Sequence, residues 1–445
     1  MLEMDERNTP VEVDVAETTV LALPRSVVSF FVPQKHVSVI VAEKLGNWLV
    51  VDAKKKFIYD KLASGKTIGE VFRELSSSDK DSCIELLSQI FARSFFAKGE
   101  ETSLTPNIQE SVFFYLTYAC NLKCSHCYMH RARNCENPLT VEEYKALFDK
   151  LVAHGVKSVT FSGGEPLLHP HFRTLVKLAK KHLFTVTVLS NGTKWTESLI
   201  SFAKEYIDEV QISVDGIDEA SCSCVRGPNV FGKAVETAVA LANAGIVISV
   251  ATTPVNETLD EIEKGYRDFT EDLARRTSDR VIFRISSKLL DGRNCGHSDS
   301  FASTAAKLAE QVYTADKCRT FSINHRPNHG LRNCGWGSIS FSPDGFVFPC
   351  NRVCECNSLG SVRHSSIDEL FLKAKNLSIT SDVEHTEPCR KCGLRFLCGG
   401  GCRLDDFNFI STDLSVPSIR KKCSLEKRQR LLETMVETTD FLYSF

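Results

Sequence analysis

Three cysteines, Cys120, Cys124 and Cys127, fall in the single run Cys120-Asn121-Leu122-Lys123-Cys124-Ser125-His126-Cys127-Tyr128. The run directly follows an apolar, strand-like segment, Val112 to Tyr118. Thiolates at C-x3-C-x2-C spacing can wrap one face of an iron–sulfur cubane and leave its fourth iron without a protein ligand. An open iron is what a cluster needs to bind a substrate or cofactor as well as carry electrons. A zinc site more usually brings two C-x2-C pairs or adds histidines. Taken alone, the trio leaves iron–sulfur, zinc and redox thiols all open.

A second set lies near the C-terminus. Cys334 and Cys350 bracket Gly345 as C-x10-G-x4-C around a hairpin expected at Pro343-Asp344-Gly345. Cys389, Cys392, Cys398 and Cys402 then read C-x2-C-x5-C-x3-C, and Cys423 follows. Such spacing points to metal, and zinc fits the C-x2-C pair. The chain has 18 cysteines in 445 residues. With no export signal ahead of them, a disulfide framework is a poor account of that number. Cys83, Cys135, Cys222 and Cys224 stand in no ligand-like spacing and read as small buried hydrophobes.

The remaining composition is that of a globular protein with room for two or three domains. Its net charge of −2 gives no pull toward nucleic acid or an anionic membrane. No run reaches the roughly 18 apolar residues of a membrane span. The first residues carry Glu3, Asp5, Glu6, Glu12, Asp14 and Glu17 against Arg7, the reverse of a signal or transit peptide. A cytoplasmic protein with a flexible acidic lead-in (1–25) is expected.

Strand and helix alternate from Val112 onward. Strands are expected at Val112–Tyr118, Lys157–Phe161, Phe184–Ser190, Asp208–Val214, Ile246–Thr252 and Arg280–Ile285, with helices at about 140–154, 170–182, 195–204, 231–244 and 257–275. Six βα repeats imply a parallel sheet, either doubly wound or a partial barrel, with working groups at the C-terminal strand ends. The motifs fall there. The second strand ends in Ser162-Gly163-Gly164-Glu165-Pro166, the third in Ser190-Asn191-Gly192-Thr193, and the fourth in Ser213-Val214-Asp215-Gly216, with Arg226-Gly227 beyond. Each alone is turn chemistry.

In this order the set resembles the radical S-adenosylmethionine superfamily, whose fold is a partial (β/α)6 TIM-like barrel. The resemblance implies that Cys120, Cys124 and Cys127 hold a [4Fe–4S] cluster whose fourth iron binds S-adenosylmethionine. It further implies that Gly163, Gly164 and Glu165 meet the methionyl amine, and that Ser190 and Ser213 bond the methionyl and ribose groups. Asp215 and Arg226 would assist, and Tyr128 would lay its backbone against the adenine. The implied chemistry is reductive cleavage to a 5′-deoxyadenosyl radical that removes hydrogen from a substrate. No general base is identified.

The C-terminal cysteines resemble the SPASM domain of radical peptide-modifying enzymes, which implies two auxiliary [4Fe–4S] clusters and three in all. Cys334, Cys350 and Cys402 would serve the first, with Cys318 as fourth ligand against Cys295, Cys354, Cys356 or an open iron. Cys389, Cys392, Cys398 and Cys423 would hold the second. Ahead of the barrel, strands at Val27–Val32, Val37–Ala42 and Asn47–Val51 precede helices at Lys54–Ala63, Thr67–Ser76 and Asp79–Phe95. This winged-helix-like β3α3 order resembles the RiPP recognition element, in which a leader peptide adds as a strand to the sheet edge beside the third helix.

The expected domains are therefore 26–105 for peptide binding, 111–310 for the radical chemistry, 311–424 for SPASM and a packing helix over 425–445. The expected activity is modification of a ribosomally made precursor peptide, forming a thioether or another cross-link. An external electron donor such as flavodoxin or ferredoxin would supply reducing equivalents, with no nucleic acid or membrane involved. Two alternatives compete: a sulfatase-maturating-type side-chain oxidase, which leaves the first hundred residues unexplained, and a non-catalytic iron–sulfur scaffold.

Overall fold

The structure, a computed structural model, describes residues 2–4, 10–12, 15–97, 110–131, 135–286, 293 and 336–443. They divide into two units. One takes the described residues within Met1–Pro106, Ala315–Trp336 and Leu377–Phe445; the other takes those within Asn107–Thr314 and Gly337–Asn376.

The first unit begins with a short antiparallel pair, β1 (Leu2–Met4) and β2 (Pro10–Glu12). Next comes an antiparallel sheet of β3 (Val27–Val32), β4 (Val37–Ala42) and β5 (Asn47–Val51), in that order. Gly46, at φ 59°, makes the β4–β5 turn and donates to the Ala42 carbonyl at 3.1 Å. Helices α1 (Ala53–Ala63), α2 (Ile68–Glu74) and α3 (Ser77–Ala92) follow. Asp52 caps the first, and a Thr67/Glu70 capping box starts the second. Alternation along the strands then sorts their side chains. Ile40, Ala42, Leu49 and Val51 bury against the three helices, while Val39, Val41, Trp48 and Val50 point to the opposite face.

Helix α3 stops short of the expected Phe95. Ser94 turns at φ 48°, Phe95 N–H donates to Ile90 O (2.8 Å) and Ser94 N–H donates to Phe91 O (2.9 Å). This is a Schellman stop, and it tucks the fully buried Phe95 back into the helical core.

In the second unit, β6 (Ser111–Tyr115), α4 (Val141–Ala153), β7 (Ser158–Ser162), α5 (Phe172–Lys181), β8 (Thr185–Ser190), α6 (Glu197–Tyr206) and β9 (Glu209–Ser213) alternate. They are followed by α7 (Glu219–Arg226), α8 (Phe231–Asn243), β10 (Val247–Thr252), α9 (Leu259–Arg276) and β11 (Val281–Ile285). Each strand from β6 to β11 lies parallel to its predecessor, with no reversal of order. Right-handed crossovers that all step the same way put every helix on one face, so the sheet is singly wound. The residues agree. Val112 and Phe114, Val159 and Phe161, Val186 and Val188, Val210 and Ile212, and Ile248 and Val250 enter one core with the helices. Thr185, Thr187, Gln211 and Ser213 alternate with them onto the other face. A doubly wound sheet, buried on both sides, would read apolar throughout.

Beyond β6 the sheet continues through β12 (Ser340–Phe341), β13 (Phe346–Phe348) and β14 (Gly360–Ser361). β12 runs parallel to β6, with Phe341 stacked on Phe114 at 4.6 Å. The β12–β13 turn falls at Pro343-Asp344-Gly345 as expected, with Gly345 at φ 81°. Helix α10 (Ile367–Thr380) adds Ile367, Leu370 and Ala374 to the same core.

The C-terminal part of the first unit holds a small sheet of β15 (Thr386–Glu387), β17 (Ser418–Arg420) and β16 (Phe407–Phe409), ordered 15-17-16. It ends in helix α11 (Leu425–Tyr443). This helix and Leu394 cover the second face of the N-terminal sheet. Leu432, Met435 and Val436 pack on Val39, Val41, Trp48 and Val50, and Trp48 Nε1 donates to Met435 O at 3.2 Å. Trp48→Phe removes that bond and part of the buried ring. It is expected to cost about 1–3 kcal/mol, read as a lower urea midpoint at unchanged slope.

Candidate functional site

The cysteine loop leaves the C-terminal end of β6 and is held by the ends of its neighbours. Leu116 N–H donates to Ser162 O at the end of β7 (2.9 Å), Gly164 N–H to Thr117 O (2.7 Å) and Glu165 N–H to Ala119 O (2.8 Å). The two glycines are needed for this contact. A Cβ at Gly163 would lie 2.4 Å from Thr117 O, and one at Gly164 would lie 2.3 Å from Ala119 O. The close approach expected toward a ligand is made, in this structure, toward the chain's own backbone just before Cys120.

Glu165 is fully buried. Its carboxylate accepts from Ser190 Oγ (2.9 Å), Asn191 N–H (2.8 Å) and Leu167 N–H (3.3 Å). Burial holds its pKa above the ordinary value. Ser190 Oγ also accepts from Gly192 N–H and Trp195 Nε1, both at 3.1 Å. Glu165 and Ser190 thus join the second strand end to the third. Ser213, at the end of β9, is half-buried, and among the described residues its hydroxyl has no hydrogen-bond partner.

Two clasps hold the loop itself. Asn121 Nδ2 donates to Thr193 Oγ1 (2.8 Å), and Asn191 Nδ2 donates to Asn121 Oδ1 (3.1 Å) and lies 3.9 Å from Cys120 Sγ. On the other side, Ser125 N–H donates to Val225 O of α7 (2.8 Å). His126 Nε2 meets Asp215 Oδ2 at 2.6 Å, and Arg226 Nη2 meets the same oxygen at 2.5 Å. Asp215 Oδ1 accepts from Thr253 N–H at 2.7 Å. Asp215 therefore ties the cysteine loop, α7 and the end of β10 to β9. Burial alone would push its carboxyl up, but Arg226 and His126 reverse that and hold it at about 2.

Tyr128 opens a short helical turn after Cys127. Its hydroxyl meets Tyr115 OH at 2.9 Å, and the buried Tyr115 donates in turn to the Asn351 carbonyl, next to Cys350. Cys354 Sγ lies 3.7 Å from Met129 Sδ, and Cys356 Sγ donates to Arg352 O. Cys295, Cys318 and Cys334 lie outside the described residues.

The sequence reading missed His126, Asn121, Asn191 and Thr193 as members of this site. His126 carried the best available signal: it is a titratable side chain between two candidate ligands. Helix α7 was missed as well. It begins with an Asp218/Ser221 capping box but is short and rich in Ser and Cys.

Among the described residues no three His, Cys, Asp or Glu side chains are already gathered as a metal site. The donor set nevertheless suits a cluster. Three thiols share one loop, Leu122 N–H points at Cys120 Sγ (3.4 Å), and the Arg226 charge favours the Cys124 thiolate. Among the described residues, buried Arg226 Nε has no hydrogen-bond partner. Burial still raises Cys120, and takes Cys124 up to about 11, so binding metal must release protons.

Residues 114–269 match the radical SAM superfamily model. Over 314 residues the chain is 37% identical to mycofactocin maturase MftC of Mycobacterium tuberculosis, covering 66% of this chain and 78% of that protein. The chain belongs to the radical SAM superfamily. It is also 28% identical over 310 residues to the antilisterial bacteriocin subtilosin biosynthesis protein AlbA of Bacillus subtilis, covering 66% of this chain and 67% of that one. Two solved structures share the fold. Streptococcus suis SuiB aligns with a TM-score of 0.52 at 15% identity, covering 86% of this chain and 96% of that one. Hexahistidine-tagged anSMEcpe with bound AdoMet aligns at a TM-score of 0.57 and 19% identity, covering 75% of this chain and 95% of that one. As a radical SAM protein the chain is an enzyme, and its cofactors are S-adenosylmethionine and a [4Fe–4S] cluster. Among the described residues no helix is long and apolar enough to cross a membrane.

Proposed function

We propose that this radical SAM enzyme modifies a ribosomally synthesised precursor peptide, abstracting hydrogen and closing a thioether or another cross-link. The carrying observation is the cysteine loop clasped at the strand ends of a chain that also builds a separate three-stranded sheet. The related proteins support it: MftC is named as a mycofactocin maturase, AlbA for biosynthesis of the bacteriocin subtilosin, and one SuiB structure holds its precursor peptide SuiA.

When bound to Cys120, Cys124 and Cys127, the cluster and S-adenosylmethionine supply a 5′-deoxyadenosyl radical. The chain's own residues set the stage. Glu165, Ser190 and Asn191 fix the second and third strand ends, Asp215 fixes the loop through His126 and Arg226, and Ser213 leaves a hydroxyl for the cofactor. A cross-link needs a second electron removed from the peptide. Cys389, Cys392, Cys398 and Cys423, read as SPASM ligands, provide thiolates for an acceptor cluster, and the other expected SPASM cysteines provide for one more.

The leader peptide would add along β5, the sheet edge next to α3. A sulfatase-maturating activity would leave that winged-helix-like unit without a task. The test compares leader-bearing peptide with the core peptide alone on the full chain. Turnover per KM should fall at least about tenfold without the leader, while 5′-deoxyadenosine still forms. Equal turnover of both sinks the recognition role. Deleting residues 1–105 is a worse test, because it would bare Leu394, Leu432 and Met435.

A further inference from the structure

The cysteine-rich end of the chain contains a buried cation among its candidate ligands. Arg420, the last residue of β17, is 7% exposed. Among the described residues no carboxylate pairs with its guanidinium within 4.0 Å, and its Nε is buried without a hydrogen-bond partner. Its Nη1 instead lies 3.8 Å from Cys389 Sγ and 4.0 Å from Cys398 Sγ.

Asp406 feels the Arg420 charge but makes its contacts elsewhere, accepting from Cys402 N–H (2.8 Å) and facing Lys427 Nζ at 3.2 Å. Gly401 leaves room for the guanidinium. A Cβ there would fall 3.1 Å from Arg420 Nη2 and 2.3 Å from Asp406 Oδ2. The neighbouring Arg403 has a different task, binding the carbonyls of Gly399, Gly401 and Ser381.

A buried charge without a carboxylate in direct contact is costly, and Asp406 acts on Arg420 only through space. Protonated thiols would not supply a counter-charge. A cluster held by thiolates is anionic and gains a further negative charge on reduction, so a fixed cation beside it favours the reduced form.

We propose that Arg420 raises the reduction potential of the auxiliary cluster held by Cys389, Cys392, Cys398 and Cys423, making that cluster a better electron acceptor. The assignment rests on the proposed reading of those four residues as cluster ligands. Arg420 acts as a positioning and tuning residue; it supplies no ligand itself.

The test uses the full chain with its clusters reconstituted anaerobically. Iron is counted first in wild type and in Cys389→Ala/Cys392→Ala. If the variant loses none, the ligand reading fails and the tuning role falls with it. With the cluster present, Arg420→Gln is titrated potentiometrically by EPR. At the wild-type midpoint the reduced-to-oxidised ratio of the auxiliary cluster should drop about tenfold, which is ~59 mV for one electron. The cluster of the Cys120 loop should keep its midpoint. An unchanged auxiliary midpoint overturns the proposal while leaving the cluster in place. Should Arg420→Gln lose the cluster, wild type grown on ¹⁵N-arginine decides. Pulsed EPR of the reduced auxiliary cluster should show a nitrogen coupling, and its absence overturns the proposal.

Discussion

Alanine at Cys120, Cys124 and Cys127 together is expected to abolish 5′-deoxyadenosine formation with dithionite and to lower bound iron from about twelve to about eight per chain. The fold should survive this change because the thiols do not hold the loop. Its position comes from Asn121 on Thr193, Ser125 N–H on Val225 and His126 on Asp215. The backbone before it is fixed by Gly164 and Glu165. The loss is thus one of metal, and circular dichroism should be unchanged. Residual cofactor cleavage by the triple variant would place the open iron elsewhere. A wild-type count near four would remove the auxiliary clusters.

The second large effect is expected at Asp215. Asp215→Ala leaves Arg226 as a buried cation without its partner and should cost about 3–5 kcal/mol. Both side chains are almost fully buried, so solvent screening does little to soften this. Urea unfolding of metal-free protein measures it, and iron uptake at the Cys120 loop should fall in parallel because His126 loses its anchor. The pH dependence has a definite sign. The carboxyl sits at about 2, below its ordinary value, so its stabilisation is complete above about pH 4 and is lost as pH falls toward 2. Asp215→Asn should lack that acid-side loss. An Asp215→Asn chain with the wild-type acid profile would show that the charge is not what ties the loop down.

The strands were readable from local chemistry. β3, β4 and β5 begin and end at the expected residues because runs of Val, Phe and Ile are punctuated by Pro33 and Gly46. The parallel strands are right to within a few residues. β6 ends at Tyr115 where Tyr118 was expected, since Thr117 and Ala119 accept from Gly164 and Glu165 in the turn after β7. The end of α3 was missed because a serine, where glycine would have been the visible signal, makes the left-handed turn. Within the site, spacing showed which residues gather at strand ends. It could not show how they divide the work. Gly163 and Gly164 answer to Thr117 and Ala119, and His126 finds Asp215 across 89 residues of chain. Such pairings are decided by tertiary approach, which no local pattern encodes. The last helix was expected to pack, but nothing in its own residues says that Trp48 is its partner.

The bond from Trp48 to Met435 has a consequence for biosynthesis. The N-terminal sheet leaves the ribosome well before the helix that covers its second face, because 387 residues separate Trp48 from Met435. At ordinary elongation rates the apolar row of Val39, Val41 and Trp48 stays bare on the order of half a minute. A transcript truncated before the codon for Leu425 would yield a protein whose three-stranded sheet is unsealed and prone to aggregation. Chaperone surveillance of this enzyme is therefore expected to act on the nascent sheet until the helix that carries Met435 emerges.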